Sequence, residues 1–189
     1  MEQLMNLWLP ILVATIAVWM ASAVFWMVLP HHVKDMRKLS DEDGLIDALK
    51  GLGVGPGSYS FPFCADKASW KDEELMRKWT EGPSGFMTIM RPQSMARNMV
   101  CTIVVNLFVS IFVAYLTSQA RVPGADFASV FQVAATAGVM AYLFGWMGSA
   151  IWFQLSKNAW ISNAIDSVAY GLIMGLVFAL LWPGAPVVG

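Results

Sequence analysis

A chain of 189 residues has single-domain length, but 57% hydrophobic and 13% charged residues, with a mean hydropathy of +0.57, exclude an ordinary soluble domain, in which about 25% of residues are charged. A net charge of −1 gives no electrostatic basis for binding nucleic acid. Two cysteines, Cys64 and Cys101, are too few for a disulfide framework.

Four stretches, at about 4–29, 98–118, 127–153 and 162–182, are apolar over the roughly 20 residues that a helix needs to cross a hydrocarbon core. The first has no basic leader, and its apolar run is longer than the roughly 7–15 residues of a signal-peptide core, so it is expected to be a retained helix. Trp8 and Trp26 lie near its two ends, where indoles favour the headgroup layer. Pro10 falls in its first turns, where a missing N–H costs least.

Pro30 closes this span and opens the one long polar segment, 30–97. It holds ten of the twelve Lys+Arg residues, ten of the thirteen acids and both histidines. His31 and His32 invite a metal reading. Neighbouring side chains diverge on a helix or a strand, however, and no CxxC, HExxH or third histidine completes a usual zinc set. The pair therefore reads as solvated at the membrane interface, with no metal ligand and no catalytic residue assigned.

Ser40-Asp41-Glu42-Asp43 has the form of a helix start, with acids in the first turn against the helix dipole. Leu45, Ile46, Leu49 and Leu52 follow at helical spacing. The glycines between Gly51 and Gly57 read as turns, because no helix N-terminus or Lys-Ser/Thr follows them to bind phosphate. Tyr59, Phe61 and Phe63 alternate as a short strand. A second helix is expected from Ser69 to Gly82-Pro83, setting Leu75, Met76 and Trp79 on one side, and residues 86–90 form a second extended piece. Tyr59, Phe61, Phe63, Trp70, Trp79 and Phe86 are candidate docking residues, since aromatics offer large contact area at low entropic cost.

The second span places Thr102, Asn106 and Ser110 on one face. The third shows Ala137, Ala141, Gly145 and Ser149 at the same spacing, and the fourth Ser167, Gly171, Gly175 and Ala179. Helices in lipid associate by close packing, so Gly171, Gly175, Ala141 and Gly145 are expected to pack the third span on the fourth; a homodimer face is the alternative. Asn106, Gln132 and Asp166 are the candidate polar groups within the membrane. Asp166 lies about one turn from the end of the fourth span as drawn, which favours a structural or interfacial role over a relay.

Lys+Arg residues divide eleven to one: ten in 30–97 plus Lys157 on one side of the membrane, and Arg121 on the other. The first side is therefore expected to be cytoplasmic and both termini outside. The fold class that follows is an all-α membrane protein, a four-transmembrane-helix bundle with a small α+β cytoplasmic insertion between helices 1 and 2. Its parts are helix 1 (1–29), the insertion (30–97) and helices 2–4 with short loops (98–189).

Pro30-His31-His32 with Asp35, Leu39-Ser40-Asp41-Glu42-Asp43, Gly57-Ser58-Tyr59-Ser60-Phe61-Pro62 and Gly82-Pro83-Ser84-Gly85 together resemble a family of uncharacterised bacterial four-helix membrane proteins. Ala114-Tyr115-Leu116, Ile151-Trp152-Phe153, Asp166 and Trp182-Pro183 extend the resemblance over most of the chain. It implies a bacterial inner-membrane protein and carries over no catalytic residue or cofactor. The sequence favours a non-enzymatic accessory or scaffold subunit, with the bilayer and other membrane subunits, or itself, as partners. A small oligomeric transporter or channel using Asn106, Gln132 and Asp166 is the alternative, and an interfacial enzyme using His31, His32 and Cys64 a third reading.

Overall fold

The computed structural model describes residues 5–185. The chain divides into two compact units, Met1–Arg37 with Met95–Gly189, and Lys38–Ser94. In chain order, α1 (Trp8–Met27) is followed by a 3₁₀ turn (Pro30–Lys34), α2 (Glu42–Gly51), β1 (Gly57–Phe61), a second 3₁₀ turn (Ser69–Lys71), α3 (Glu73–Glu81), β2 (Gly85–Ile89), α4 (Met95–Ala120), α5 (Phe127–Trp152) and α6 (Lys157–Leu180).

Helices α1, α4, α5 and α6, of 20, 26, 26 and 24 residues, are long and apolar enough to cross a membrane, so by length and composition this is a multi-pass membrane protein. They close a ring in which α1 packs on α4 and α6, and α5 packs on α4 and, most extensively, on α6. Within α1, Leu7 (just before the helix), Ile11, Ala14 and Val18 recur every three or four residues and are buried, so one stripe faces the bundle while Leu12, Ile16 and Met20 stay exposed. The stripe meets Val113 and Ala114 of α4, Val130 and Ala134 of α5, and Met174 and Phe178 of α6 in one core. Of the apolar window of α6, 44% is buried, against 22% for each other span; α6 is the hub.

Close approach of α5 and α6 requires glycine. A Cβ on Gly175 would come 2.6 Å from the Ala135 Cβ, one on Gly138 would come 2.9 Å from the Gly171 Cα, and one on Gly171 would collide with Val139. The expected face of α6 is therefore correct, whereas that of α5 is one step out of phase. Ala141 and Gly145 are exposed, and a Cβ on Gly145 would meet nothing within 4 Å; Ala134, Ala135 and Gly138 supply the contact instead. Two small-residue rows run along α5, and only packing distinguishes them.

At the bundle end that holds the α4–α5 loop, Trp182 Nε1 donates to the Val122 carbonyl (3.0 Å) and Gly124 N to the Pro183 carbonyl (2.8 Å). Gly124 adopts φ +83, which favours glycine.

The unit Lys38–Ser94 follows its local signals. Asp41 caps α2 by accepting from Gly44 N (2.8 Å), and Gly53 at φ +65 helps turn the chain beyond the helix. β1 and β2 pair antiparallel, Gly57 opposite Ile89 through Phe61 opposite Gly85, so Phe63 lies beyond the strand. The second helix starts later than expected. Asp66 caps the short turn at Ser69, and Asp72 caps α3 by accepting from Leu75 N (3.1 Å). No described residue of this unit is buried.

Candidate functional site

The polar segment that joins α1 to the insertion is short. Pro30 starts the 3₁₀ turn, where its fixed φ and missing N–H are tolerated, and the turn ends with Asp35 N donating to the His32 carbonyl (3.0 Å). Opposite lies α6, which begins at Lys157 behind a Ser156 cap that accepts from Ala159 N (3.1 Å). The helix starts earlier than expected for the fourth span, and this corrects the depth of Asp166. It stands nine residues into α6, about 14 Å along the axis rather than one turn from the end. It is 3% exposed.

The two elements are bonded along their length. Ser156 Oγ donates to the Asp35 carbonyl (3.0 Å) and Asn158 Nδ2 to the Lys34 carbonyl (3.1 Å). Ser162 Oγ lies 2.9 Å from both the His31 carbonyl oxygen and Asp35 Oδ1, and shares its one proton between them. Inside this frame His31 Nε2 lies 2.7 Å from Asp166 Oδ1, and His32 Nε2 lies 3.0 Å from Asp166 Oδ2. His32 Nδ1 in turn lies 2.6 Å from Asp35 Oδ2. Tyr170 Oη, one turn along α6, donates to Asp166 Oδ2 (3.1 Å).

Aromatic rings hold the imidazoles. Trp26 stacks on His32 with ring centres 3.8 Å apart, and Phe25 meets His31 edge-on at 5.7 Å. The His32 side chain is 8% exposed and that of His31 23%. Burial alone would pull the His32 pKa down. The hydrogen bonds and negative charge of Asp35 and Asp166 overcome it and set the group above its ordinary value.

The expectation that adjacent histidines diverge, each solvated, is therefore overturned. The turn is too short to behave as a helix face, and both rings swing onto one carboxylate, their centres 4.3 Å apart. One donor atom from each of His31, His32 and Asp166 lies within 4.8 Å of the others, the one such set of three among the described residues. Pro30 at the start and Asp35 three residues after His32 were the local signals; nothing local pointed to Asp166.

The other candidates are dispersed. Asn106 is buried, its Oδ1 accepting from Tyr142 Oη (3.1 Å) and its Nδ2 without a partner. Tyr142 meets the Tyr170 ring edge-on at 5.4 Å, so Asn106 connects to Asp166 through two tyrosines. Gln132 is exposed in a surface groove with Leu116, Thr136 and Met140, away from that connection. Cys64 is half-buried within the insertion unit and Cys101 exposed on α4. Tyr59, Phe61, Phe63, Trp70 and Phe86 are exposed, whereas Trp79 is half-buried with a buried Nε1 that finds no partner. Compared with family models, with curated proteins and with solved structures, the chain finds no match.

Proposed function

We propose that the protein is an accessory or scaffold subunit of a bacterial inner-membrane assembly, its four spans serving as anchor and its insertion as a cytoplasmic docking module. The observation that carries this reading is the insertion itself: Lys38–Ser94 forms capped helices and a two-stranded antiparallel sheet, yet buries none of its described residues. Phe63 is 70% exposed and Trp70 61%. A unit of this size has a marginal core at best, and large exposed aromatics are the residues that anchor protein interfaces. The eleven-to-one Lys+Arg division supports the cytoplasmic orientation.

The test is purification from native membranes in mild detergent. Phe63→Ala with Trp70→Ala removes no buried contact, so the double variant is expected to stay abundant and inserted while losing a stoichiometric protein partner. Retention of the partner by the variant, or its absence from the wild type, contradicts the docking reading.

A small transporter is the second reading, favoured by the Asn106–Tyr142 and Tyr170–Asp166 hydrogen bonds. It no longer includes Gln132. A lone homo-oligomer that moves solute in proteoliposomes, and stops doing so on Asn106→Leu, would establish this reading over the first.

A further inference from the structure

We propose that His31, His32 and Asp166 bind a divalent first-row transition metal ion, zinc foremost, with Asp35 as the outer carboxylate that orients His32. The proposal is independent of the docking reading, because every group it uses belongs to the helical unit.

The three side chains converge closely enough to share an ion. With metal–ligand bonds of about 2.0–2.1 Å, two ligand atoms at adjoining corners of the coordination shell are about 2.9–3.4 Å apart. His32 Nε2 lies 3.0 Å from Asp166 Oδ2 and His31 Nε2 2.7 Å from Asp166 Oδ1, and one ligand atom from each of the three residues lies within 4.8 Å of the other two, so an ion enters by taking the place of these hydrogen bonds. Two imidazole nitrogens and one carboxylate suit zinc and iron(II), and no thiolate is present to favour copper(I).

An outer carboxylate also stands behind one ring. A metal-bound imidazole typically gives its other N–H to a carboxylate, which fixes the tautomer and the ring plane. Asp35 Oδ2 stands in that place, 2.6 Å from His32 Nδ1. Asp35 is itself held by Ser162. Without an ion, a protonated His32 satisfies both carboxylates by donating Nδ1–H to Asp35 and Nε2–H to Asp166; an ion takes the place of the Nε2 proton and leaves Nδ1–H on Asp35.

Charge favours a divalent ion as well. With both imidazoles neutral, as ligation requires, the carboxylates of Asp35 and Asp166 give a charge of −2, which a divalent ion cancels in a partly buried place. Trp26, Phe25 and Tyr170 hold the rings and the carboxylate in place before the ion arrives. Three protein ligands leave at least one position for water or an exogenous donor, and the partly exposed His31 gives access.

The experiment uses the full chain in mild detergent, stripped with chelator and then titrated with Zn²⁺, and with Co²⁺ as a spectroscopic probe. One ion per chain is expected. The cobalt form should show a ligand-field spectrum, and X-ray absorption of the zinc form should show two imidazoles at about 2.0–2.1 Å. His31→Gln and Asp166→Asn should each abolish stoichiometric binding, while Asp35→Asn should weaken it about 10–100-fold without changing the stoichiometry. The absorption measurement needs no variant, so it decides the question even if a substitution prevents folding. Wild-type protein that takes up no stoichiometric ion overturns the proposal and leaves the cluster a hydrogen-bonded clamp. Binding that survives His31→Gln with Asp166→Asn, or an absorption spectrum without imidazole, overturns it by placing the ion elsewhere.

Discussion

Asn106 is a polar side chain in the middle of a span, and its two ends fare differently. Oδ1 accepts from Tyr142, while Nδ2 is buried without a partner. Interhelical hydrogen bonds of this kind contribute on average about 0.6 kcal/mol, with an upper value near about 1.7 kcal/mol. Tyr142→Phe is therefore expected to destabilise the bundle within that range. Asn106→Leu should cost less than the removal of a good hydrogen bond, because it also removes the unsatisfied amide. In the Asn106→Leu background, Tyr142→Phe should then cost almost nothing. Reversible unfolding in mixed micelles measures all three, and fully additive effects would mean that the pair is uncoupled. Asp166 presents the same issue with higher stakes, since its carboxylate receives His31, His32 and Tyr170 within 3.1 Å. Its role rests on partners 134 and 135 residues away, which no inspection of its own neighbourhood in sequence suggests.

For whole elements, the contact between α5 and α6 governs the bundle. Gly171→Leu and Gly175→Leu insert bulk where a single Cβ already meets Val139 or Ala135, and each is expected to cost roughly 1–3 kcal/mol or more. Gly145→Leu, at an exposed position with no atom within 4 Å of its Cβ, should change stability by no more than about 0.5 kcal/mol. Denaturation in detergent distinguishes these outcomes; equal tolerance at all three positions would contradict the packing. The row on α6 is legible because Ser167, Gly171, Gly175 and Ala179 form its single continuous small-residue stripe, and all four are buried. α5 offers two such rows, and choosing between them depends on where α6 lies. The insertion is legible for a different reason: Asp41 and Asp72 are local signals whose i to i+3 caps start the two helices, and the alternation around Tyr59 marks a strand whose partner lies beyond α3. The early start of α6 is hidden from hydropathy because Lys157 and Asn158 are not apolar. Ser156 before them is an ordinary cap, and it moves Asp166 from the helix end to the interior.

Taken whole, the molecule assigns its polar residues to two places with different physics. In the helical unit buried and half-buried polar side chains bond to one another, His31 and His32 with Asp166, Tyr142 with Asn106, and Thr15 with Ser110 (3.1 Å). In the insertion, charged side chains remain in the open, as with Arg77 between Glu74 and Glu81, where such pairs add little stability. Aromatic residues remain exposed among them. The account depends on a four-span anchor that holds this insertion on the cytoplasmic side, and site-directed cysteine labelling in intact cells tests that most directly. In a Cys64→Ser, Cys101→Ser background, Val122→Cys, 72% exposed in the α4–α5 loop, is expected to react with a membrane-impermeant reagent. Ser84→Cys, exposed in the insertion, should react only after the inner membrane is opened. The reverse pattern, Ser84→Cys labelled in intact cells and Val122→Cys protected, would contradict the orientation and with it the docking of a cytoplasmic partner.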